Sequence, residues 1–129
     1  MKAILSILIG GVLIASFVLF FVVSSSDSKT SQSVNNISMV EGKQIITIRA
    51  KGGYLPKITT AKAGFPTILK MDTQGTFDCS SALTIPSLSF KKNLPPSGET
   101  IIDILPQKAG AVIRGLCSMG MYSFTVYFN

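Results

Sequence analysis

The stretch Gln44-Ile45-Ile46-Thr47-Ile48-Arg49-Ala50 decides the fold class. From Ile46 onward apolar and polar residues alternate, with Ile46, Ile48 and Ala50 on one side and Thr47 and Arg49 on the other. Side chains two residues apart share a face in an extended chain, so the pattern specifies a half-buried β-strand. The same alternation, in β-branched or aromatic residues, runs through KITTAKA at 57–63, ETIIDIL at 99–105 and YSFTVYF at 122–128. Between them stand the turn signals Gly52-Gly53, Gly64, Pro95-Pro96-Ser97-Gly98 and Lys108-Ala109-Gly110. No segment beyond residue 40 holds a helical period long enough to form a helix. Short strands broken by Gly and Pro predict an all-β domain, an antiparallel sandwich or barrel.

Upstream the composition changes twice. SSSDSKTSQSVNNISMV at 24–40 is rich in Ser and Asn and has little to bury, which predicts a flexible linker. The globular domain is therefore expected to span 41–129. Before the linker, AILSILIGGVLIASFVLFFVV at 3–23 carries no charge and no proline. About 20 apolar residues at helical rise cross the roughly 30 Å hydrocarbon core of a bilayer, so 3–23 predicts a transmembrane anchor. A cleaved signal peptide is the competing reading, with an apolar core of about 7–15 residues and a small-residue cleavage site. Here the core is longer and Ser24-Ser25-Ser26-Asp27 follows it, a poor match for cleavage. Lys2 and Lys29 flank the segment and nearly cancel, so charge does not orient it.

The net charge of +6 comes from 12 basic and 6 acidic residues, and there is no histidine. The lysines are dispersed apart from Lys91-Lys92, without the aromatic-interleaved clustering of a nucleic-acid binder, so no nucleic-acid partner is expected. The charge reads as a solvated surface, with docking to an acidic protein or anionic lipid as the other reading. Without histidine there is no Ser-His-Asp triad, no HExxH zinc site and no imidazole general base. The acidic residues form no calcium loop, and no Gly-rich phosphate loop opens a helix. An enzyme is not expected.

Sulfur is what remains. Cys117, Met119 and Met121 fall at i, i+2 and i+4 in Gly115-Leu116-Cys117-Ser118-Met119-Gly120-Met121-Tyr122, a spacing that sets them on one side of an extended segment. Gly120 adds no bulk and frees the backbone to curl around an ion. Cys79 lies upstream in the polar stretch Phe77-Asp78-Cys79-Ser80-Ser81, a predicted loop. Zinc does not ordinarily take thioethers, and calcium and magnesium require oxygen. Thiolates with thioethers select Cu(I), and Ag(I) fits for the same reason. Two other readings stand beside this one: a Cys79–Cys117 disulfide stapling an extracytoplasmic structural domain, and methionines that merely fill the core.

The chain also resembles a known group. Gly53-Tyr54-Leu55-Pro56, Ile58-Thr59 and Lys62-Ala63-Gly64-Phe65-Pro66 are similar to the opening of cupredoxin-like domains. Leu94-Pro95-Pro96-Ser97-Gly98-Glu99-Thr100 and Leu105-Pro106-Gln107-Lys108-Ala109-Gly110 match its later turns, and Cys117-Ser118-Met119-Gly120-Met121 resembles its C-x-M-x-M loop. The similarity runs from Gln44 to the C-terminus, and with the anchor the whole chain looks like the CupA type of membrane-anchored Cu(I) chaperone from Gram-positive bacteria. That resemblance implies an antiparallel Greek-key sandwich behind one transmembrane helix. It implies two Cu(I) ions in a shared-sulfur cluster. Cys79 and Cys117 would hold one as a bis-thiolate, and Cys117 would bridge to a weaker site completed by Met119 and Met121. The partner it implies is a copper-exporting P-type ATPase, with its N-terminal metal-binding domain as acceptor, which sets the domain on the cytoplasmic face. Blue-copper electron carriers use two histidines with one cysteine, and this chain departs from that pattern.

Overall fold

The computed structural model describes residues 35–129. The expected anchor at 3–23 and the linker up to residue 34 lie outside the described residues. Ten strands follow in order: β1 (Ile37–Val40), β2 (Lys43–Ala50), β3 (Tyr54–Leu55), β4 (Ile58–Ala61), β5 (Thr67–Gln74), β6 (Ala82–Ile85), β7 (Phe90–Asn93), β8 (Ser97–Ile104), β9 (Val112–Cys117) and β10 (Ser123–Phe128). Among the described residues the helical pieces are single 3-10 turns at Cys79–Ser81 and Pro86–Leu88.

The strands form two five-stranded sheets. One runs β1-β2-β5-β8 with β3 attached to β2, and the other runs β4-β10-β9-β6-β7. The alternation read from the sequence sets their facing sides. Ile46, Ile48, Leu69, Met71, Ile102 and Ile104 from the first sheet meet Leu83, Ile85, Ile113, Phe124, Val126 and Phe128 from the second in one buried cluster. The domain is thus an all-β sandwich, as expected.

Two expectations need correction. The sheets are mixed rather than purely antiparallel: β2 runs parallel to β5 and β4 parallel to β10, while the other pairs are antiparallel. The cause is connectivity. Strand β4 lies in the second sheet, so the chain crosses the sandwich between β2 and β5 and returns in the same direction, as parallel neighbours require. The crossover is pinned by buried Gln44, whose side-chain amide donates to the Lys62 carbonyl at 3.3 Å and to Thr67 Oγ1 at 3.1 Å, while its Oε1 accepts from the Lys62 N–H at 2.9 Å.

The second correction concerns the linker, whose last four residues are strand β1. Ile37 to Val40 pair with Lys43 to Ile46 across a tight turn at Glu41 and Gly42, both at positive φ. Asn36 joins as well, its side-chain amide donating to Thr59 Oγ1 at 2.9 Å. An edge strand buries little and needs no apolar alternation, so these four residues did not stand apart from the polar stretch before them.

Candidate metal centre

Strand β9 carries the first thiol inward. Ile113, Gly115 and Cys117 alternate with Val112, Arg114 and Leu116, so Cys117, the last residue of the strand, faces the core and is fully buried. It sits opposite Leu83 of β6. Gly115 is required one step earlier, because a Cβ there would overlap the Phe124 ring.

The chain turns sharply after Cys117. The Gly120 N–H donates to the Cys117 carbonyl at 2.8 Å and the Cys117 N–H donates to the Tyr122 carbonyl at 3.0 Å. Gly120 has φ of +72°, the left-handed region that glycine enters without strain. Residues 117–121 are therefore a tight turn and not the extended segment that the spacing suggested. The turn leaves Met119 76% and Met121 65% exposed, whereas Met71 is fully buried. Core filling describes Met71 and does not describe the two loop methionines.

The second thiol arrives on a different element. Cys79 opens the 3-10 turn Cys79–Ser81, and Asp78 caps it by accepting from the Ser80 N–H at 2.8 Å and from the Ser80 hydroxyl. The other Asp78 oxygen accepts from the Gly52 N–H at 2.8 Å. Tyr54, buried and packed edge-on against Phe124 at 5.3 Å, donates its hydroxyl to the Ser80 carbonyl at 3.0 Å. Across the gap the Ser118 N–H donates to the Ala82 carbonyl at 2.9 Å, joining the methionine turn to the residue that ends the cysteine turn. This scaffold packs half-buried Cys79 against the core cluster that contains Cys117, and both cysteines are free thiols. The side chains of Met119 and Met121 stand in solvent at the rim.

The two thiols are not equivalent. The hydrogen bond with Cys117 raises the Cys79 pKa above its ordinary value, although the Met119 N–H acts the other way. Burial pushes Cys117 upward, but the hydrogen bond from Cys79 and the N–H groups of Tyr122, Met119 and Met121 outweigh it and hold Cys117 below the usual thiol range. Cys117 is the thiol that ionises first. Burial, then the two cysteines and Asp78, pushes the Tyr54 hydroxyl far up, so it stays a hydrogen-bond donor.

The donor chemistry fits a soft monovalent ion. Among the described residues no three His, Cys, Asp or Glu side chains come together, so no hard or imidazole-based site competes. The sequence reading missed Tyr54 and Gly52 as supports of the centre. For Asp78 a signal was present, since Asp followed two residues later by Ser is a turn-capping pattern.

The two-sheet sandwich defines the class. The chain belongs to the cupredoxin-like domain family, whose profile matches residues 12–126. Two solved structures share the fold. One is a copper binding protein whose solution structure is of the apo form, at 24% identity and TM-score 0.64 over 72% of this chain and 94% of that one. The other is the metal-binding domain of the Cu(I)-exporting P-type ATPase CopA of Streptococcus pneumoniae, determined with Cu(I), at 21% identity and TM-score 0.63 over 72% of this chain and 92% of that one. No curated protein sequence matches the chain.

Proposed function

We propose that this chain is a membrane-anchored Cu(I) chaperone or buffer of the CupA type, which carries Cu(I) as cargo and hands it to a copper-exporting P-type ATPase in copper resistance. The observation that carries the reading is the placement of two free thiols, Cys79 and Cys117, on turns joined by the Ser118–Ala82 hydrogen bond, beside two solvent-exposed methionines. In this reading Cys79 and Cys117 hold one Cu(I), and Cys117 is shared with a second, weaker ion completed by Met119 and Met121. Thiolates and thioethers suit Cu(I) and not Cu(II), which prefers nitrogen and oxygen, so the site favours passing copper on over cycling electrons. The similarity to the metal-binding domain of a copper exporter supports a transfer partner of that kind.

The apolar segment at 3–23 would hold the domain beside a membrane exporter and raise its effective concentration there without new contacts. Loading an exporter requires the cytoplasmic face, where thiols stay reduced. The same pair of thiols leaves one other reading, an extracytoplasmic domain stapled by a Cys79–Cys117 disulfide. Thiol titration of freshly isolated protein separates them. Two reactive thiols that Cu(I) protects under anaerobic conditions support the chaperone. A quantitative disulfide, with no Cu(I) uptake after reduction, overturns it.

A further inference from the structure

Beside the thiol pair lies a cleft of about 240 Å³, whose lining includes Met121 alone of the four sulfur residues. Residues 52–55 and Lys57 form one wall, and Met121, Tyr122 and Ser123 form the other. Gly53, at φ +126°, lies against the Tyr122 ring, which an added Cβ would meet in ordinary contact at 3.5 Å. Lys57 is the one charged side chain in the lining, is exposed, and makes no ion pair among the described residues. The adjacent carboxylate, Asp78, is engaged by the Gly52 N–H and by Ser80. Lys57 is therefore the charge that lies in the lining itself, while the ionised Asp78 carboxylate is tied back by Gly52 and Ser80. The cleft shares Met121 with the metal centre, and Tyr122, whose N–H reaches the Cys117 sulfur at 3.5 Å, forms part of its wall.

We infer that this cleft seats an acidic low-molecular-weight thiol that delivers Cu(I) as its thiolate complex, with a carboxylate on Lys57 and the copper-bearing sulfur toward Met121. The inference rests on the copper-carrier reading and deepens it by naming the form in which the cargo arrives. The cleft is somewhat smaller than the roughly 300–1,000 Å³ of sites for drug-sized ligands, which suits part of a small peptide-like thiol. In a reducing compartment soft Cu(I) is held by thiolates rather than by water. Uptake is then a ligand exchange at constant oxidation state. The Cys117 thiol gives up its proton as its sulfur forms a bond to copper, the bond to the carrier sulfur breaks, and the departing thiolate accepts that proton.

The test compares anaerobic Cu(I) transfer to the full chain from three sources: Cu(I)–glutathione, Cu(I)–2-mercaptoethanol and the Cu(I)–acetonitrile complex. The measured quantity is the ratio of the glutathione rate to the mercaptoethanol rate. We expect Lys57→Glu to lower that ratio by roughly threefold to tenfold, the scale of reversing one partly screened charge, and Lys57→Arg to restore it. Lys108→Glu is the control for net charge, since Lys108 adjoins the strand end at Phe128, away from the Ser123 end that lines the cleft. An unchanged ratio in Lys57→Glu overturns the inference, and so does an equal fall in Lys108→Glu. If the chain takes no Cu(I) even from the acetonitrile complex, the copper-carrier reading falls and the inference falls with it. Normal uptake from acetonitrile with no dependence on Lys57 removes the inference alone.

Discussion

The Tyr122 N–H donates to the Cys117 sulfur at 3.5 Å while the Tyr122 carbonyl accepts from the Cys117 N–H at 3.0 Å. One residue thus closes the turn and steadies the thiolate at its mouth. The turn carries Met119 and Met121 outward, so Cys117 is the hinge between a buried donor and two exposed ones.

Cys117→Ser should therefore remove both copper sites. Loss of partners behind a metal ligand typically costs 10–100-fold in affinity, so loss of the shared ligand should exceed about 100-fold. Met119→Ala and Met121→Ala should weaken only the second ion, by about tenfold or less on the same scale. Chelator competition with one and two equivalents of Cu(I) resolves these losses. Equal losses from all three substitutions would reject the unequal two-site arrangement.

Tyr54→Phe tests the support beneath Cys79. The substitution keeps the ring contact with Phe124 and removes the hydroxyl that donates to the buried Ser80 carbonyl. Leaving a buried acceptor without its donor costs about 1–3 kcal/mol, so the midpoint of urea unfolding should fall accordingly. Because the Ser80 carbonyl belongs to the turn that carries Cys79, affinity for the first Cu(I) should fall as well. An unfolding midpoint equal to that of the unmodified chain would show that the hydrogen bond contributes nothing.

Those supports mark where sequence reading stopped. Strands β2, β8 and β10 were legible because apolar residues alternate in each of them, and β4 from its β-branched residues, although its buried face is Thr59 and Ala61 and Ile58 is exposed. Strand β5 was not, since Thr67, Leu69, Met71 and Thr73 present a buried face that is half polar. Cys79, Cys117, Met119 and Met121 were legible by chemistry alone. Their arrangement was not, because it depends on contacts between distant segments: Gly52 with Asp78, Tyr54 with Ser80, and Ser118 with Ala82. Local spacing suggested an extended sulfur run, and the hydrogen bonds of Gly120 and Tyr122 to Cys117 made it a turn.

Gly115→Ala should be among the costliest single-methyl additions to the domain. Its Cβ would enter the space of the Phe124 ring, which is itself wedged against Tyr54. Neither ring can withdraw, since both are buried, and overpacking of this kind costs about 1–3 kcal/mol or more. Thermal and urea unfolding of the apo-protein should both report it. Gly42→Ala is a useful comparison, because nothing lies within 4 Å of its added Cβ and only the positive φ opposes it. If the two variants were equally stable, the Phe124 overlap would cost no more than the positive φ at Gly42 does, and the overpacking argument would fail.

Copper affinity should fall as the solution is acidified, with a change of slope. Cu(I) binds thiolates, so every thiol that is protonated in the free protein gives up its proton on binding. Cys79 has a raised pKa and Cys117 a lowered one, each through contact with the other and with nearby N–H groups. Above the Cys117 pKa only the Cys79 proton is displaced, and the logarithm of the apparent affinity should drop by about one for each unit of falling pH. Below it both protons are displaced and the drop should approach two per unit. Titration against a competing Cu(I) chelator of known proton affinity, from alkaline to acidic pH, measures the slope directly. A single step from zero to two, with no interval of slope one, would mean that Cys117 ionises no earlier than Cys79, and the N–H groups at the turn would then have no role in preparing it for copper.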